Sequence, residues 1–378
     1  MSAPDADAPR PVREVSALFL RLGLTAFGGP AAHTALMHHE LVRRRGWVDE
    51  QRFADLMGAT NLVPGPNSTE LAIHLGHERA GWRGLLVAGA LFILPGALAV
   101  TALAWVYVEH GRTPALSGLL YGVVPVMIAI IVHALTGLVR TVLSTVPAVL
   151  VAAAGLAAYL LGVNELVVLV AGATALVLTE AVRGQREGRH GWLWPALAVA
   201  GESGRDELLR LFLGMLKIGA VLYGSGYVLL AFLEGEFVDR LGWLTQAQLV
   251  DAIAVGQVTP GPVFTTATFV GYVVAGLPGA FLATVAIFLP SFVFVGLLTR
   301  ITHRLRSSRW LATGLDGVNA AALALMAGVT ARLAGNAVVD PLTAAIAVVT
   351  WVLLWRTRLN STWYVAGGAA IGLLQAYL

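Results

Sequence analysis

The chain has 378 residues, 57% of them hydrophobic and only 12% charged, with a net charge of +3 and no cysteine. A soluble protein carries about a quarter of its residues as charges, so the composition excludes an ordinary water-soluble fold and points into a bilayer. The lack of cysteine excludes disulfides, thiolate metal sites and a thiol nucleophile, and charges scattered over loops exclude a nucleic-acid-binding patch.

In chain order, residues 1–13 form a polar, Pro-rich tail without the apolar segment and cleavage site of a signal peptide. A broken helix is predicted over 14–39, interrupted at Gly28-Gly29-Pro30, and a basic loop follows with Arg43, Arg44 and Arg45. Two short helices near 50–62 and 67–76 meet at Pro64-Gly65-Pro66. Fuller helices are predicted near 82–108, 116–139, 144–161 and 164–182, closing a first unit over 14–182. A hydrophilic linker, 183–206, leads to a second unit over 207–378. Its helices are predicted near 207–232, 246–258, 262–273, 277–299, 311–334, 338–355 and 361–377.

The two units are an internal repeat. Residues 46–66 (GWVDEQRFADLMGATNLVPGP) and 242–262 (GWLTQAQLVDAIAVGQVTPGP) share Gly, Trp, Asp and Pro-Gly-Pro landmarks at an offset of 196. Upstream, Arg21, Gly23, Phe27 and Gly28 fall on Lys217, Gly219, Tyr223 and Gly224. Downstream the register slips by one, so that Gly76, Gly81, Gly84 and Pro95 fall on Gly271, Gly276, Gly279 and Pro290. Helix breakers at corresponding places in two repeats are the sequence pointer to a membrane transporter with its site at the repeat interface.

A helix of 10–13 residues is about 15–20 Å long and cannot cross a core of about 30 Å. Two such helices joined by Pro-Gly-Pro predict a re-entrant hairpin in each half, leaving about five spanning helices. An odd number of crossings sets the halves in opposite orientations, and the loops agree: Arg43–Arg45 in one half answers Glu234, Glu236 and Asp239 in the other. With the N-terminus outside, most arginines fall on the inner side, as the positive-inside rule requires. The alternative lets each short-helix pair cross once as a broken span. The fold class expected is therefore an all-α polytopic membrane protein made of two inverted repeats.

Unwound backbone at membrane depth is tolerated where it faces protein or water, so the two Pro-Gly-Pro turns (Pro64, Gly65, Pro66; Pro260, Gly261, Pro262) are expected to line a cavity. The helices after them begin with Asn67, Ser68 and Thr69, and with Thr265 and Thr266; free amides at a helix N-terminus favour anions. Asn61 and Gln257, just before the turns, add hydrogen-bond donors, and Gly28, Gly29 and Gly224 mark the broken helices. Arg21 and Lys217 are cations at equivalent positions within apolar helices. They suit an anion pathway, or they snorkel to a headgroup. Asp55 and Asp251 form a third pair, fit for a helix-interior ion pair or for proton coupling. Glu70 has no acidic counterpart and could carry a proton. His38-His39-Glu40 and His74 with His77 lack a third metal ligand, so no metal or other cofactor is expected. No catalytic motif or ATPase module is present, which argues against an enzyme and leaves an ion gradient as the drive for active transport, while the paired breakers argue against a scaffold.

These segments resemble a known family. LRLGLTAFGGPAAH (20–33), Gly46-Trp47-Val48 and NLVPGPNSTELA (61–72) are similar to the N-terminal half of the chromate ion transporter family. LKIGAVLYGSGYVLLAFLEGEFV (216–238), Gly242-Trp243-Leu244 and GQVTPGPVFTTATFVGY (256–272) resemble its C-terminal half. The resemblance runs from about 14 to 378 and matches the long form with both halves fused. Tyr223-Gly224-Ser225-Gly226 departs from a more usual Phe-Gly-Gly-Gly. The resemblance implies a multi-pass plasma-membrane (bacterial inner-membrane) protein. It implies a secondary transporter of a small tetrahedral oxyanion, with chromate efflux and resistance, and sulfate as the analogue. A passive anion channel, or a carrier of sulfate or another oxyanion, fits the same scaffold, and the glycine-rich helices leave room for a homodimer.

Overall fold

The computed structural model describes residues 11–27, 29–110, 113–184, 207–223, 228–305, 309–357 and 359–378. Gly28, Gly224 and most of the linker lie outside them. The described residues form fourteen α-helices and no strand. The first half holds α1 (Pro11–Thr25), α2 (Gly29–His38), α3 (Glu50–Thr60), α4 (Asn67–His110), α5 (Pro114–Val142), α6 (Val146–Leu160) and α7 (Glu165–Gly184). The second holds α8 (Glu207–Val221), α9 (Leu229–Leu233), α10 (Gln246–Val258), α11 (Thr266–Leu305), α12 (Arg309–Ala337), α13 (Pro341–Arg356) and α14 (Ser361–Tyr377). The expected helices are all present. α2 and α9 each run on into a π-helical turn, His39–Arg44 and Glu234–Arg240, where a basic loop and an acidic loop were expected.

Local chemistry sets the helix ends. Asp49, Thr113, Thr145, Thr245 and Asp340 each cap a helix by accepting a backbone N–H with the side chain, a service worth about 1 kcal/mol. α4 and α11 are each a tight helical hairpin. In α4 the path bends at Ala80 (φ −140°, ψ 22°) and Gly81 (φ 59°, ψ −148°), and in α11 at Ala275 (φ −142°, ψ 28°) and Gly276 (φ 61°, ψ −149°). The left-handed φ explains the glycine. The two arms then pack so closely that a Cβ on Gly76 would overlap the Gly84 carbonyl, and one on Gly271 the Gly279 carbonyl.

The directions of the helices follow from which residues meet. Gly118 faces Gly372 and Ala376, while Gly122 faces Gly368, so α5 and α14 are antiparallel. Tyr121 donates to Asp340 at 2.6 Å and the His133 ring meets the Trp355 ring edge to face, so α5 and α13 are parallel. Gly155 meets Ala324 and Gly328 meets Tyr159, so α6 and α12 are parallel. Since successive helices alternate, α5 and α12 run in opposite senses, and the halves are inverted. They also exchange their last helices: α6 and α7 pack on α12, α13 and α14 on α5.

The Pro-Gly-Pro hairpins are re-entrant, as expected. Arg52 near the start of α3 bonds Glu78 at the end of the first arm of α4, while Asn67 bonds Asn61 (2.9 Å) at the tip. The broken N-terminal helices depart from the expectation of a through-going span. Glu14 at the start of α1 pairs with Arg79 (2.6 Å), and the guanidiniums of Arg45 and Arg79 both lie over the Trp47 ring. The two ends of the α1–α2 segment therefore lie at one end of the molecule, the basic end, and the chain turns back at its break. The N-terminus thus shares a side with Arg43–Arg45, where the charge pattern alone sets it opposite. The physical reason is the reversal at the break: α1 and α2, of 15 and 10 residues, or about 22 and 15 Å, do not add end to end into one span. α8 and α9 repeat this at the opposite end, where Lys217 bonds Glu236 (2.9 Å) and Tyr159 bonds Glu234 (2.9 Å). Gly184 and Glu207, on either side of the linker, consequently lie at opposite ends.

Among the described residues five segments are long and apolar enough to cross a membrane alone: 67–110, 114–142, 165–182, 263–299 and 312–337. α6, α13 and α14, of 15, 16 and 17 residues, run alongside them. Arg43 and its repeat partner Asp239 are exposed at opposite ends, and the positive-inside rule sets the basic end in the cytoplasm. A membrane-impermeant maleimide on intact cells should therefore label Asp239→Cys and spare Arg43→Cys, and inverted vesicles should reverse the pattern. The cysteine-free background makes each label unique. Labelling of both from one side would refute the inversion.

Candidate functional site

The helix breaks of the two halves meet. Gly65 of the first Pro-Gly-Pro turn donates its N–H to the Leu222 carbonyl at the end of α8 (2.7 Å), and Gly261 of the second donates to the Ala26 carbonyl at the end of α1 (2.9 Å). Ala26 and Leu222 are themselves repeat equivalents, so the two hydrogen bonds are reciprocal across the pseudo-two-fold axis. Each joins a re-entrant turn of one half to the broken helix of the other. The turns need glycine: Gly65 has φ 137° and Gly261 φ 92°.

Among the described residues this junction is closely packed. A Cβ on Gly65 would strike the Glu70 carboxylate and the Ser291 hydroxyl, and one on Gly96 would strike the Pro260 carbonyl. Pro64, Gly65, Pro66, Gly261 and Pro262 are buried. Around them stand Ser68, Thr69, Glu70, Thr265, Thr266 and Ser291, all at most 2% exposed. Thr265 and Thr266 turn their hydroxyls back to the carbonyls of Pro262 and Val263, each at 2.8 Å. Ser68 meets Nδ1 of His33 at 3.3 Å, and the other ring nitrogen of His33 reaches the Ala26 carbonyl at 3.1 Å. Tyr223, just past the break after α8, donates to the Leu62 carbonyl at 3.5 Å.

Buried polar atoms normally find a partner, so exceptions mark a place. Among the described residues seven such side-chain atoms have none, and five belong to this region: Thr69 Oγ1, both Glu70 oxygens, His74 Nε2 and Ser291 Oγ. Gln257 Nε2 is a sixth, just before the second turn.

The remaining predicted residues stand outside the junction. Arg21 pairs with Glu40, which also accepts from Arg44 at 3.1 Å; Lys217 pairs with Glu236 at 2.9 Å, which also accepts from Arg240. Both glutamates are nearly buried, at 5% and 6% exposure. All three members match at the offset of 196, making one triad near each end of the molecule. A mixed-charge cavity of about 260 Å³ lies beside Lys217, lined also by Glu165, Glu236, Asp239, Arg240 and Arg332. Asp251 accepts from Tyr107 (2.8 Å), and the charge of Asp55 acts on Arg52. Asn61 is exposed beside Asn67, and Gly29 opens α2 with φ 79°.

Two inverted repeats meeting at discontinuous helices are the architecture of secondary transporters, and the chain is a multi-pass membrane protein. It belongs to the chromate transporter family, whose pattern matches residues 13–177 and again 209–373. The chromate transport protein of Cupriavidus metallidurans is 33% identical over 96% of this chain and 93% of its own length. The probable chromate transport protein of Synechococcus elongatus is 30% identical over 91% and 90%, and the chromate transport protein of Pseudomonas aeruginosa 31% over 97% and 93%. No solved structure matches the chain.

Proposed function

We propose that the protein carries chromate, a tetrahedral oxyanion for which sulfate is the structural analogue, outward across the membrane by rocking its two halves about the Pro-Gly-Pro junction. The observation that carries this reading is the reciprocal pair of hydrogen bonds from Gly65 and Gly261. They occupy, with carbonyls of the opposite half, two amides that would otherwise be free at mid-depth. Parting the halves releases both amides and uncovers the unpartnered hydroxyls of Thr69 and Ser291 and the side-chain amide of Gln257; Ser68, Asn67, Thr265 and Thr266, bonded within their own halves, can turn to an anion by exchanging those bonds. Helix N-termini and such donors suit a small dianion. Arg21 and Lys217, one toward each end, draw the anion in while sharing their charge with Glu40 and Glu236. The packed state favours a carrier over an open channel, because a carrier must close between its two accesses. An ion gradient drives the cycle.

The test is radiolabelled chromate flux into inverted vesicles containing the protein, with and without an imposed ion gradient, and with excess sulfate as competitor. Accumulation that follows the gradient and is reduced by sulfate is the expected result. Flux that only equilibrates would replace the carrier with a channel, and sulfate movement without chromate movement would overturn the substrate.

A further inference from the structure

His33 stands on α2, 1% exposed, against the break that ends α1. Its Nε2 reaches the Ala26 carbonyl at 3.1 Å and its Nδ1 the Ser68 hydroxyl at 3.3 Å. The carbonyl only accepts, so Nε2 carries a hydrogen, and in a neutral ring Nδ1 then accepts from Ser68. The same carbonyl accepts from Gly261 of the other half, so the histidine is tied to a bond that closes the junction. Phe92 meets the ring edge to face at 5.5 Å. No charged side chain among the described residues bonds to it. Arg21 on α1 is held by Glu40, and His38 farther along α2 by Glu50. The titratable groups of the junction itself are Glu70 and His74 on α4 and Tyr223 after α8. At the offset of 196, His33 falls on Leu229, so the second half has no equivalent ring.

An imidazolium without a counter-ion is not stable in a dry, closed site, so the empty junction holds His33 neutral. Ser68 is the second residue of α4, and its single hydrogen is spent on His33. That hydrogen can go to an anion while the contact is kept only if Nδ1 takes up a proton and becomes the donor. We propose that His33 and Ser68 form a proton-linked anion site, in which each oxyanion bound by the serine brings one proton onto the histidine. The proton comes from water that enters with the anion. The imidazolium, bonded to Ser68 and Ala26, then balances one charge of the dianion, and charge-assisted bonds of this kind are the strong ones. On the far side the anion leaves, water takes the proton, Ser68 turns its hydroxyl back to Nδ1, and the empty junction closes neutral. One oxyanion and one proton therefore cross together, and the empty return carries neither. Glu70 differs: buried without a partner, it is neutral in the closed junction whether filled or empty, and its proton makes no net crossing. The single negative charge left on the loaded site lets a membrane potential, negative inside, drive the pair outward. This rests on the oxyanion-carrier reading and adds the coupling ion and its address.

The experiment is radiolabelled chromate binding to the full-length protein in detergent. Between about pH 7.5 and 9, where chromate is a dianion, wild-type affinity should fall about tenfold per pH unit if one proton binds with the anion. His33→Gln keeps a donor and an acceptor but takes no proton, and Ser68→Ala breaks the relay. Each should bind with less than about a twofold change per pH unit. A flat wild-type curve would overturn the proposal, as would the wild-type slope in either variant. If neither variant binds, the imidazole nitrogen signals of wild type decide, with His33 assigned by the signals that His33→Gln lacks. Added chromate should convert that ring from the neutral Nε2–H form to imidazolium, and a ring that stays neutral removes the site. The carrier reading fails separately. Binding with the expected slope, beside flux that only equilibrates, supports the site and replaces the carrier with a channel. Wild type that binds neither chromate nor sulfate overturns the anion reading and this site with it.

Discussion

Gly65→Ala should nearly abolish transport while leaving the protein in the membrane. Gly65 has φ 137°, and a methyl group there would run into Glu70 and Ser291. A strained backbone costs about 1–3 kcal/mol, and overpacking a filled site about as much again. The closed junction then becomes less accessible by about 2–6 kcal/mol, which lowers the rate of any cycle passing through it by about 30-fold at the low end and more than 10,000-fold at the high end. Gly137→Ala is the control, since a Cβ at that helical position meets nothing within 4 Å. The measurement is chromate flux per folded protein, normalised by size-exclusion chromatography. Wild-type flux from Gly65→Ala would show that the closed junction is not a step in the cycle.

Glu236→Gln should be strongly destabilising. Its side chain is 6% exposed and holds both Lys217 and Arg240. Removing the anion from a nearly buried ion cluster costs about 3 kcal/mol, and the thermal midpoint should fall by about 5 °C or more. Adding Lys217→Gln takes away the stranded cation, so the double variant should regain most of the lost stability. Transport should stay lost, because Lys217 also attracts the substrate. Recovery of both would make Lys217 a structural partner of Glu236 and nothing more. The same pair of experiments on Arg21 and Glu40 reads the other end, with a smaller effect expected because Arg21 is 45% exposed against 23% for Lys217.

Much of this was legible in the sequence because the repeat doubles every signal. A single Pro-Gly-Pro is only a turn, whereas two at one offset locate the junction, and both hairpins fold as their lengths require. What escaped was long-range pairing. The partners of Arg21 and Lys217 could have been found: Glu40 and Glu236, with Arg44 and Arg240, keep the offset of 196. Local polarity instead places Arg44 and Glu236 in loops and Glu40 in the His38-His39-Glu40 run, because it hides a π-helical turn that turns one carboxylate inward. The backward turn of α1 and α2 was not visible in charge counting, since an apolar broken helix has the same composition whether it crosses or returns. Glu14 against Arg79, 65 residues apart, and Arg45 and Arg79 over Trp47 separate the two. Tyr107 with Asp251, 144 residues apart, left no trace in either segment.

The exchange of terminal helices also sets a timetable for biogenesis. α5 leaves the ribosome about 200 residues before α13 and α14, its packing partners, which at about 5–20 residues per second is an interval of about 10–40 s. During that interval the glycine face of α5 at Gly118 and Gly122, which ends against Gly368 and Gly372, has only lipid or insertion machinery beside it. α6 and α7 wait likewise for α12. A nascent first half is thus an unfinished object however well its helices have inserted, and quality control in the membrane must tolerate it until the last helix arrives.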